Sequence, residues 1–431
     1  MQYLSSWDQS RKQLSFRTRR EPTESVLYRL VYELHDELQW CWEERFQSEH
    51  GCFRAEVEEA FRAYLSCGIV RHGCAMAKCE CCGHTELIAF SCKRRGLCPS
   101  CDAKRAHLFA EHLDETLLLA YPHAHTVFTI PKRLRVYFKY DRKLLGGLYQ
   151  AAWQAWQDAV DDELPGMKSG AVMALHTAGE LLNWHPHIHA LCLYGALDKE
   201  GVFHRLYSLD LNYLTRAFAD NVFKLLLERG LIDSDTVENM RTWEHSGFNV
   251  WVGEPVEASD SEGRLFLGRY LKKSPVTLPN LELLESPTKT MVRVNGVTHD
   301  GELQSRDLEP LEFLAEVSQH IPDLWEQTTR YYGVYSARNR GAKRLCYDFA
   351  GPLPLSEPVA RPSPEWARCM KKVFELDPLE CPKCGGTMRI KQFPQAESEI
   401  ERLCKNLGVI SWRAPPPLPK LATVLDSSDY C

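Results

Sequence analysis

Two Cys-x-x-Cys pairs, Cys79–Cys82 and Cys98–Cys101, stand 15 residues apart. That is the spacing of a zinc ribbon, in which two knuckles close a tetrahedral four-thiolate site. The stretch 74–102 is rich in Cys, Gly and Pro and breaks the helical pattern before it, so a small metal-stapled unit is expected there. Cys82-Gly83 suits a tight knuckle better than Cys81, and Cys74 and Cys92 are spare thiols. Four thiolates leave no open position on a metal, so this zinc is expected to be structural. Cys381-Pro-Lys-Cys384-Gly-Gly is half of another such site. A lone knuckle needs two further ligands, for which Cys369, Cys346 and Cys404 are the candidates. The chain has 17 cysteines. Those outside the pairs, such as Cys41, Cys52, Cys67 and Cys192, read as small core residues.

A disulfide scaffold is the competing use of so many cysteines, but it belongs to short secreted chains. Here the chain has 431 residues, enough for two or three domains, and Met1–Arg20 lacks the shape of a signal peptide. No apolar run approaches the length that spans a membrane. The expected location is the cytoplasm, with no membrane partner. The net charge of −6 is unevenly spread. Residues 21–60 hold eleven acidic and three basic side chains, whereas residues 91–145 hold eleven basic and five acidic. A local positive field permits phosphate binding whatever the total charge.

Apolar periodicity places helix over 23–66, about 103–120, 141–162, 211–229, Arg264–Lys273 and 311–330. Strand-like runs cover His123–Pro131, Ala171–Thr177 and His185–Tyr194, the last two joined by 178–184 as an antiparallel pair. The stretch 280–310 reads as strand and loop, 352–365 as a Pro-rich linker, and 413–431 as a disordered tail. The fold class is therefore α+β. The expected units are a helical and zinc-ribbon one (1–115), a larger one of mixed strand and helix (116–350) and a small Cys-x-x-Cys one (366–412).

His185-Pro-His187-Ile-His189 carries three imidazoles at period two, on one face of a strand. A histidine–hydrophobe–histidine unit offers two metal ligands side by side, with the hydrophobe packed behind the sheet. A third ligand is needed, with coordination positions left open for a phosphate oxygen. If the hairpin is centred near 181–182, His176 lies opposite His187. Glu180, nearer the turn, is the rival third ligand, and His185 takes a supporting role.

Several motifs, in this order, resemble the insertion sequence 91 family of transposases. They are Ala89-Phe-Ser-Cys-Lys-Arg-Arg-Gly-Leu-Cys-Pro-Ser-Cys101, Phe128-Thr-Ile-Pro-Lys-Arg133, Asn183-Trp-His-Pro-His-Ile-His189, Leu267-Gly-Arg-Tyr-Leu-Lys-Lys273, Arg330-Tyr-Tyr-Gly333 and Asp377-Pro-Leu-Glu-Cys-Pro-Lys-Cys-Gly385. The resemblance runs from about residue 60 to 412. It implies a rolling-circle transposase with a zinc-binding, DNA-binding domain (1–115) followed by a histidine–hydrophobe–histidine nuclease domain, the catalytic one (116–350), with a central antiparallel sheet flanked by helices. Carried over residue by residue, it implies that His187 and His189 hold Mg²⁺ or Mn²⁺ and that Tyr270 attacks the phosphodiester. Nitrogen ligands fit Mn²⁺ better than Mg²⁺. One departure matters: two-tyrosine members resemble Tyr-Leu-Gly-Arg-Tyr, whereas this chain reads Phe266-Leu-Gly-Arg-Tyr270.

A tyrosine titrates near pH 10, so forming phenolate at neutral pH costs roughly 4 kcal/mol. A metal on the phosphate and nearby cations offset part of that cost. Arg94, Arg95, Lys132, Arg133, Arg269, Lys272 and Lys273 are the candidate DNA-contacting cations. A DNA–tyrosine phosphodiester keeps the energy of the broken bond, so rejoining needs no ATP. The chain has no Gly-x-x-x-x-Gly-Lys-Ser/Thr loop, and strand separation is expected to come from a host helicase. The expected partner is single-stranded DNA at transposon ends, without a nucleotide cofactor. Two other readings fit fewer of these residues: a zinc-ribbon DNA-binding protein without catalysis, and a hydrolase that uses the three histidines to activate water.

Overall fold

The computed structural model describes residues 22–286, 289–297, 301–339 and 379–418. The expected linker at 352–365, Cys346 and Cys369 lie outside the described residues. Helix α1 (Val26–Arg45) starts at Ser25, whose hydroxyl accepts the Tyr28 N–H. Its stripe of Leu27, Leu30, Val31 and Leu38 is fully buried. The stretch 23–66 is broken at Gly51, where φ is 76°, and resumes as α2 (Ala55–Leu65). A hairpin of β1 (Cys74–Cys79) and β2 (Thr85–Ala89) follows, and then α3 (Pro99–His112). Pro99 at the first turn of α3 lacks only an N–H that no helical carbonyl would have received. The expected extension of α3 to residue 120 stops instead in one π turn, Leu113–Leu117.

The central sheet has the strands β3 (His123–Thr129), β4 (Gly170–Ala178), β5 (Trp184–Leu193), β8 (Asn249–Val252) and β12 (Thr329–Gly333). It is antiparallel throughout, in the order β12-β4-β5-β3-β8. A small hairpin, β6 (Gly195–Leu197) with β7 (Phe203–Arg205), extends from the end of β5. Alternation decides what each face meets. Ala171, Met173, Leu175, Ile188, Ala190 and Cys192 pack against α4 (Lys132–Tyr140), α5 (Leu145–Glu163), α6 (Leu211–Glu228) and α7 (Ser234–Arg241). Trp156, Phe138 and Phe218 fill that layer and are fully buried. The other parity, Val172, Ala174, Leu191 and Leu193, faces α8 (Ser261–Tyr270) through Phe266, Leu267 and Leu271.

Helix α8 lies antiparallel along α3, held at three levels. Ser261 and Arg264 bond to Asp114 near its start, and Ser274, just past its end, donates to Asp102 at 3.0 Å. Between them a Cβ on Gly268 would come within 2.8 Å of the Ala110 Cα. A glycine there is what allows the two helices to touch.

Strands β9 (Leu281–Glu285), β10 (Thr290–Val297) and β11 (Leu303–Leu308) form a separate sheet, and α9 (Pro310–Gln319) follows it. The helix expected over 311–330 ends early because Pro322 cannot continue it, and Arg330-Tyr-Tyr-Gly333 is strand. Leu281, Val292, Val294, Phe313, Leu314 and Val317 share one core with α1 and α2. The N-terminal helices therefore do not close on themselves as a unit ending near 115. The C-terminal segment likewise joins the rest: β13 (Met388–Gln392) pairs with β1, and α10 (Glu397–Leu407) buries Ile400 and Cys404 against Cys74 and Leu87. Residues 413–418, expected to be disordered, lie on α1. Arg29 donates to the Pro416 and Pro417 carbonyls and the Leu418 N–H reaches Glu33. The remainder of the expected tail, 419–431, is outside the described residues.

Candidate metal centres and active site

The cysteines form two tetrads, and neither is the set expected from spacing. Cys98 and Cys101 meet Cys67 and Cys92, whereas Cys79 and Cys82 meet Cys381 and Cys384. Sulfur separations are 3.7 Å for Cys67–Cys98, 3.6 Å for Cys67–Cys101 and 3.6 Å for Cys92–Cys101. In the second tetrad, Cys79–Cys384 and Cys82–Cys381 are each 3.6 Å apart. Thiolates at about 2.3 Å from a tetrahedral zinc stand about 3.8 Å apart, so both tetrads fit that ion. The Cys82 and Cys81 N–H groups point at Cys79 Sγ, and they pull its thiol down to about 6. This correction has a topological cause. The 15 residues between the two pairs include the whole of β2, which carries Cys92 and Cys98 away from the first knuckle. Pairing of β13 with β1 brings Cys381 and Cys384 in instead. Cys67 and Cys92, read from sequence as core and spare, complete the other set, and Cys404 packs in the apolar cluster beside Cys74.

On the sheet, His176 pairs directly with His187, the register that a hairpin centred near 181–182 requires. His176, His187 and His189 have the parity of Ala174 and Leu191, so all three lie on the α8 face. One ring nitrogen from each falls within 4.8 Å of the others. His187 Nδ1 donates to the His185 carbonyl at 2.6 Å, which turns Nε2 toward His189. The two Nε2 atoms are 3.0 Å apart. Nitrogens at right angles around a cation at roughly 2.1 Å would be about 3.0 Å apart, the separation of the His187 and His189 pair. Glu180 is outside this group; it is exposed and lies 3.5 Å from Lys273. His185 supplies a carbonyl to His187 and its ring stands 4.9 Å from the His187 ring.

A fourth imidazole was not anticipated. His125 Nε2 lies 2.9 Å from His189 Nδ1, on the side of that ring away from His187. If Nε2 of His189 faces a cation, its Nδ1 carries the proton and donates to His125. His123 and His125 also alternate at period two, the signal read in His185–His189. Their relevance depended on β3 pairing with β5, which local spacing does not specify. Burial, followed by repulsion from His187, lowers His125 to about 4 and His185 to about 3. His187 falls to about 4, mainly through burial, and burial takes His176 and His189 well below the ordinary range. All five are neutral at pH 7, the form in which imidazole binds metal.

Tyr270 ends α8 directly over this cluster. Its ring centroid is 5.2 Å from that of His189, 5.3 Å from His125 and 6.5 Å from His176. Phe266, one turn earlier, is buried with its centroid 6.3 Å from Tyr270. Lys273 lies over the Tyr270 ring at 5.7 Å. Burial alone would lower its ammonium, but Tyr270 and Glu180 more than offset this and raise it. Lys272 sits over Phe109 and donates to Thr329. Burial, then the charges of Arg105 and Arg95, lower Lys272 to about 8, so an anion placed there would be welcome. The other tyrosines of the sequence are placed differently. Tyr332 stacks on Trp153 on the opposite face, Tyr335 is buried with its hydroxyl 2.6 Å from His123, and Tyr331 lines a groove near Lys272.

The remaining candidate cations separate. Arg95 spends its guanidinium on the carbonyls of Asp323, Leu324 and Glu326, so it anchors a loop instead of presenting itself to phosphate. Arg94 pairs with Glu59 at 3.2 Å. Arg269 is half-buried on α8. Lys132 and Arg133 are exposed at the start of α4, just beyond Thr129, the partner of His187.

Comparison with known proteins accords with this layout. A family model described as "Transposase zinc-binding domain", that of insertion sequence 91 transposases, matches residues 38–130. Another, described as "Putative transposase", matches residues 170–343, which include the histidine hairpin and α8. The transposase for insertion sequence element IS801 of Pseudomonas savastanoi pv. phaseolicola is 28% identical, over 81% of this chain and 86% of its own. The chain belongs to the insertion sequence 91 family of transposases. The protein titled "Putative transposase y4qJ" of Sinorhizobium fredii is 23% identical, over 79% of this transposase and 90% of its own length. No solved structure matches. Among the described residues, no helix of this transposase is long and apolar enough to cross a membrane.

Proposed function

We propose that this transposase nicks and rejoins single-stranded DNA through Tyr270, as the strand-transfer step of rolling-circle transposition in the cytoplasm. The observation that carries the reading is the placement of Tyr270 at the end of α8, with its ring against His125, His176 and His189. Tyr270 Oη attacks the scissile phosphorus. One P–O bond forms as another breaks, and the departing deoxyribose oxygen takes up a proton. Lys273 lies over the ring, and Lys272 offers an ammonium to the phosphate. His176, His187 and His189 would hold a divalent cation, Mn²⁺ suiting nitrogen donors better than Mg²⁺, and that ion would supply positive charge for the phosphate oxygens. His185 and His125 orient the rings of His187 and His189 from behind, as outer partners of metal ligands do. The two cysteine tetrads would hold structural zinc. Lys132 and Arg133 extend the DNA path, and a host helicase supplies the single strand. With Phe266 in place of a second tyrosine, one subunit holds one DNA end at a time.

The test is incubation with end-labelled single-stranded DNA and Mn²⁺, followed by denaturing gels and peptide mapping of the adduct. Tyr270→Phe should abolish the covalent adduct while leaving zinc content and DNA binding unchanged. Cleavage without an adduct, or an adduct mapped to Tyr331 or Tyr332, would overturn the reading.

A further inference from the structure

Trp325 is 88% exposed and its neighbour Leu324 is 55% exposed. A tryptophan so open to water is uncommon, and a mobile loop tip would be the ordinary explanation. This loop, however, is tied down from three sides. Arg95 donates to the carbonyls of Asp323, Leu324 and Glu326. Arg54 pairs with the Asp323 carboxylate at 2.6 Å, and Arg142 forks onto Glu326 at 2.9 and 3.1 Å. Three arginines thus hold a short turn whose two apolar side chains point into solvent, and both acidic residues of the turn are neutralised beneath it.

The turn borders a groove of about 850 Å³ lined by Lys272, Trp325, Gln327, Thr329 and Tyr331, among others. This groove adjoins the candidate active site. Thr329 pairs with Ala174, two residues along β4 from His176, so it is a diagonal neighbour roughly 7–8 Å away on the same face. Lys272 is the second residue after Tyr270. An ammonium, hydroxyl groups and an exposed indole line one channel beside the scissile position. Nucleotides need this combination: a cation for the phosphate and an aromatic face for the base.

We infer that Trp325 is a stacking platform for a base of the single strand beside the scissile phosphate, which Lys272 holds. The inference rests on the reading of Tyr270 and the histidines as a single-strand nicking centre. Because every base has a π face, this contact grips the strand in register without reading its sequence. The turn is held rigid, so stacking costs the protein little ordering entropy.

The experiment compares a short fluorescein-labelled oligodeoxythymidylate with the abasic backbone of the same length, which has equal charge and no bases. Trp325→Ala should weaken oligodeoxythymidylate binding about 5- to 150-fold, the range for loss of one stacked base, and leave abasic binding unchanged. Trp325→Phe should restore most of the loss. Equal weakening toward both probes, or none toward either, overturns the inference. So does sedimentation showing that wild type self-associates and Trp325→Ala does not, since the indole would then seal a contact between two copies. Adduct assays on the same proteins separate this inference from the reading beneath it. A base-dependent Trp325 effect without any Tyr270 adduct refutes the nucleophile alone, and a Tyr270 adduct without that effect refutes the platform alone.

Discussion

Replacing Gly268 by alanine tests whether close packing of α8 on α3 sets the position of Tyr270. The new Cβ would stand 2.8 Å from the Ala110 Cα and 2.9 Å from its Cβ, where carbon atoms prefer about 3.5–4.0 Å. Helix α8 must therefore retreat by about 1 Å, while Asp114 holds its start and Asp102 holds Ser274 beyond its end. Overpacking costs about 1–3 kcal/mol, and replacing a helical glycine by alanine returns about 1 kcal/mol. The fold should lose at most about 2 kcal/mol. Catalysis should suffer more, because a 1 Å misplacement of a reacting group can cost about 100-fold. Single-turnover adduct formation on single-stranded DNA, with urea unfolding and zinc content measured in parallel, reads both quantities. A second change, Ala110→Gly, removes one of the two clashing atoms and should recover part of the rate. An unchanged rate in Gly268→Ala, or a rate that falls only as far as the folded fraction falls, would refute the reasoning.

Purified protein should hold two zinc ions per chain; Cys98→Ser and Cys381→Ser should each lose one, and only Cys381→Ser should make 379–418 newly sensitive to protease. A stoichiometry of one, with Cys79 and Cys98 required for the same ion, would restore the single ribbon site. The double substitution His187→Ala and His189→Ala should abolish nicking while single-strand binding keeps its steep salt dependence; normal cleavage by that protein would sink the histidine centre. Stability should be greatest above pH 6.5 and fall as the pH drops toward 4. Burial lowers His50, His123, His187 and His320 to about 4, so below 6.5 the unfolded chain takes up protons that the folded chain refuses. Urea midpoints that stay flat across that interval would contradict the sign.

The histidine hairpin was legible because its determinants are local. Turn length fixes register, and period two fixes the face, so the opposition of His176 and His187 follows from residues 176–189 alone. The α+β class was readable from the same local periodicities, whereas the central antiparallel sheet came only with the family resemblance. The cysteines were misassigned because a Cys-x-x-Cys knuckle specifies a half-site and not its other half. The partners of Cys79 and Cys82 lie about 300 residues away, brought in by the pairing of β13 with β1. His125 was overlooked for a related reason: its neighbour His189 is 64 residues distant, and only the pairing of β3 with β5 makes them adjacent. Arg95 shows a different failure. Sequence gives a positive charge, but whether that charge meets a phosphate or three carbonyls depends on where Asp323–Glu326 fold back.

The two tetrads differ in their mechanical relation to Tyr270. Cys98 and Cys101 sit at the start of α3, and Asp102, the next residue, accepts from the Gly96 N–H and from Ser274 beyond α8. Burial raises Asp102 to about 6, yet Arg105 at 2.6 Å, Ser274 and Gly96 give its oxygens the partners that a buried carboxylate requires. A metal at Cys67, Cys92, Cys98 and Cys101 therefore fixes the first turn of the helix against which α8 packs. The fixed path runs from that tetrad through Asp102, Ser274 and Ala110 to Gly268 and Tyr270. The other tetrad joins β1 to the C-terminal segment instead. Zinc stripped from both sites by a chelator should slow adduct formation through the first. Cys381→Ser, which opens only the second, should leave the rate near that of wild type even as 379–418 comes free. If instead Cys381→Ser slows the adduct as much as Cys98→Ser, the C-terminal segment itself supports the site and the helix pair is not the path.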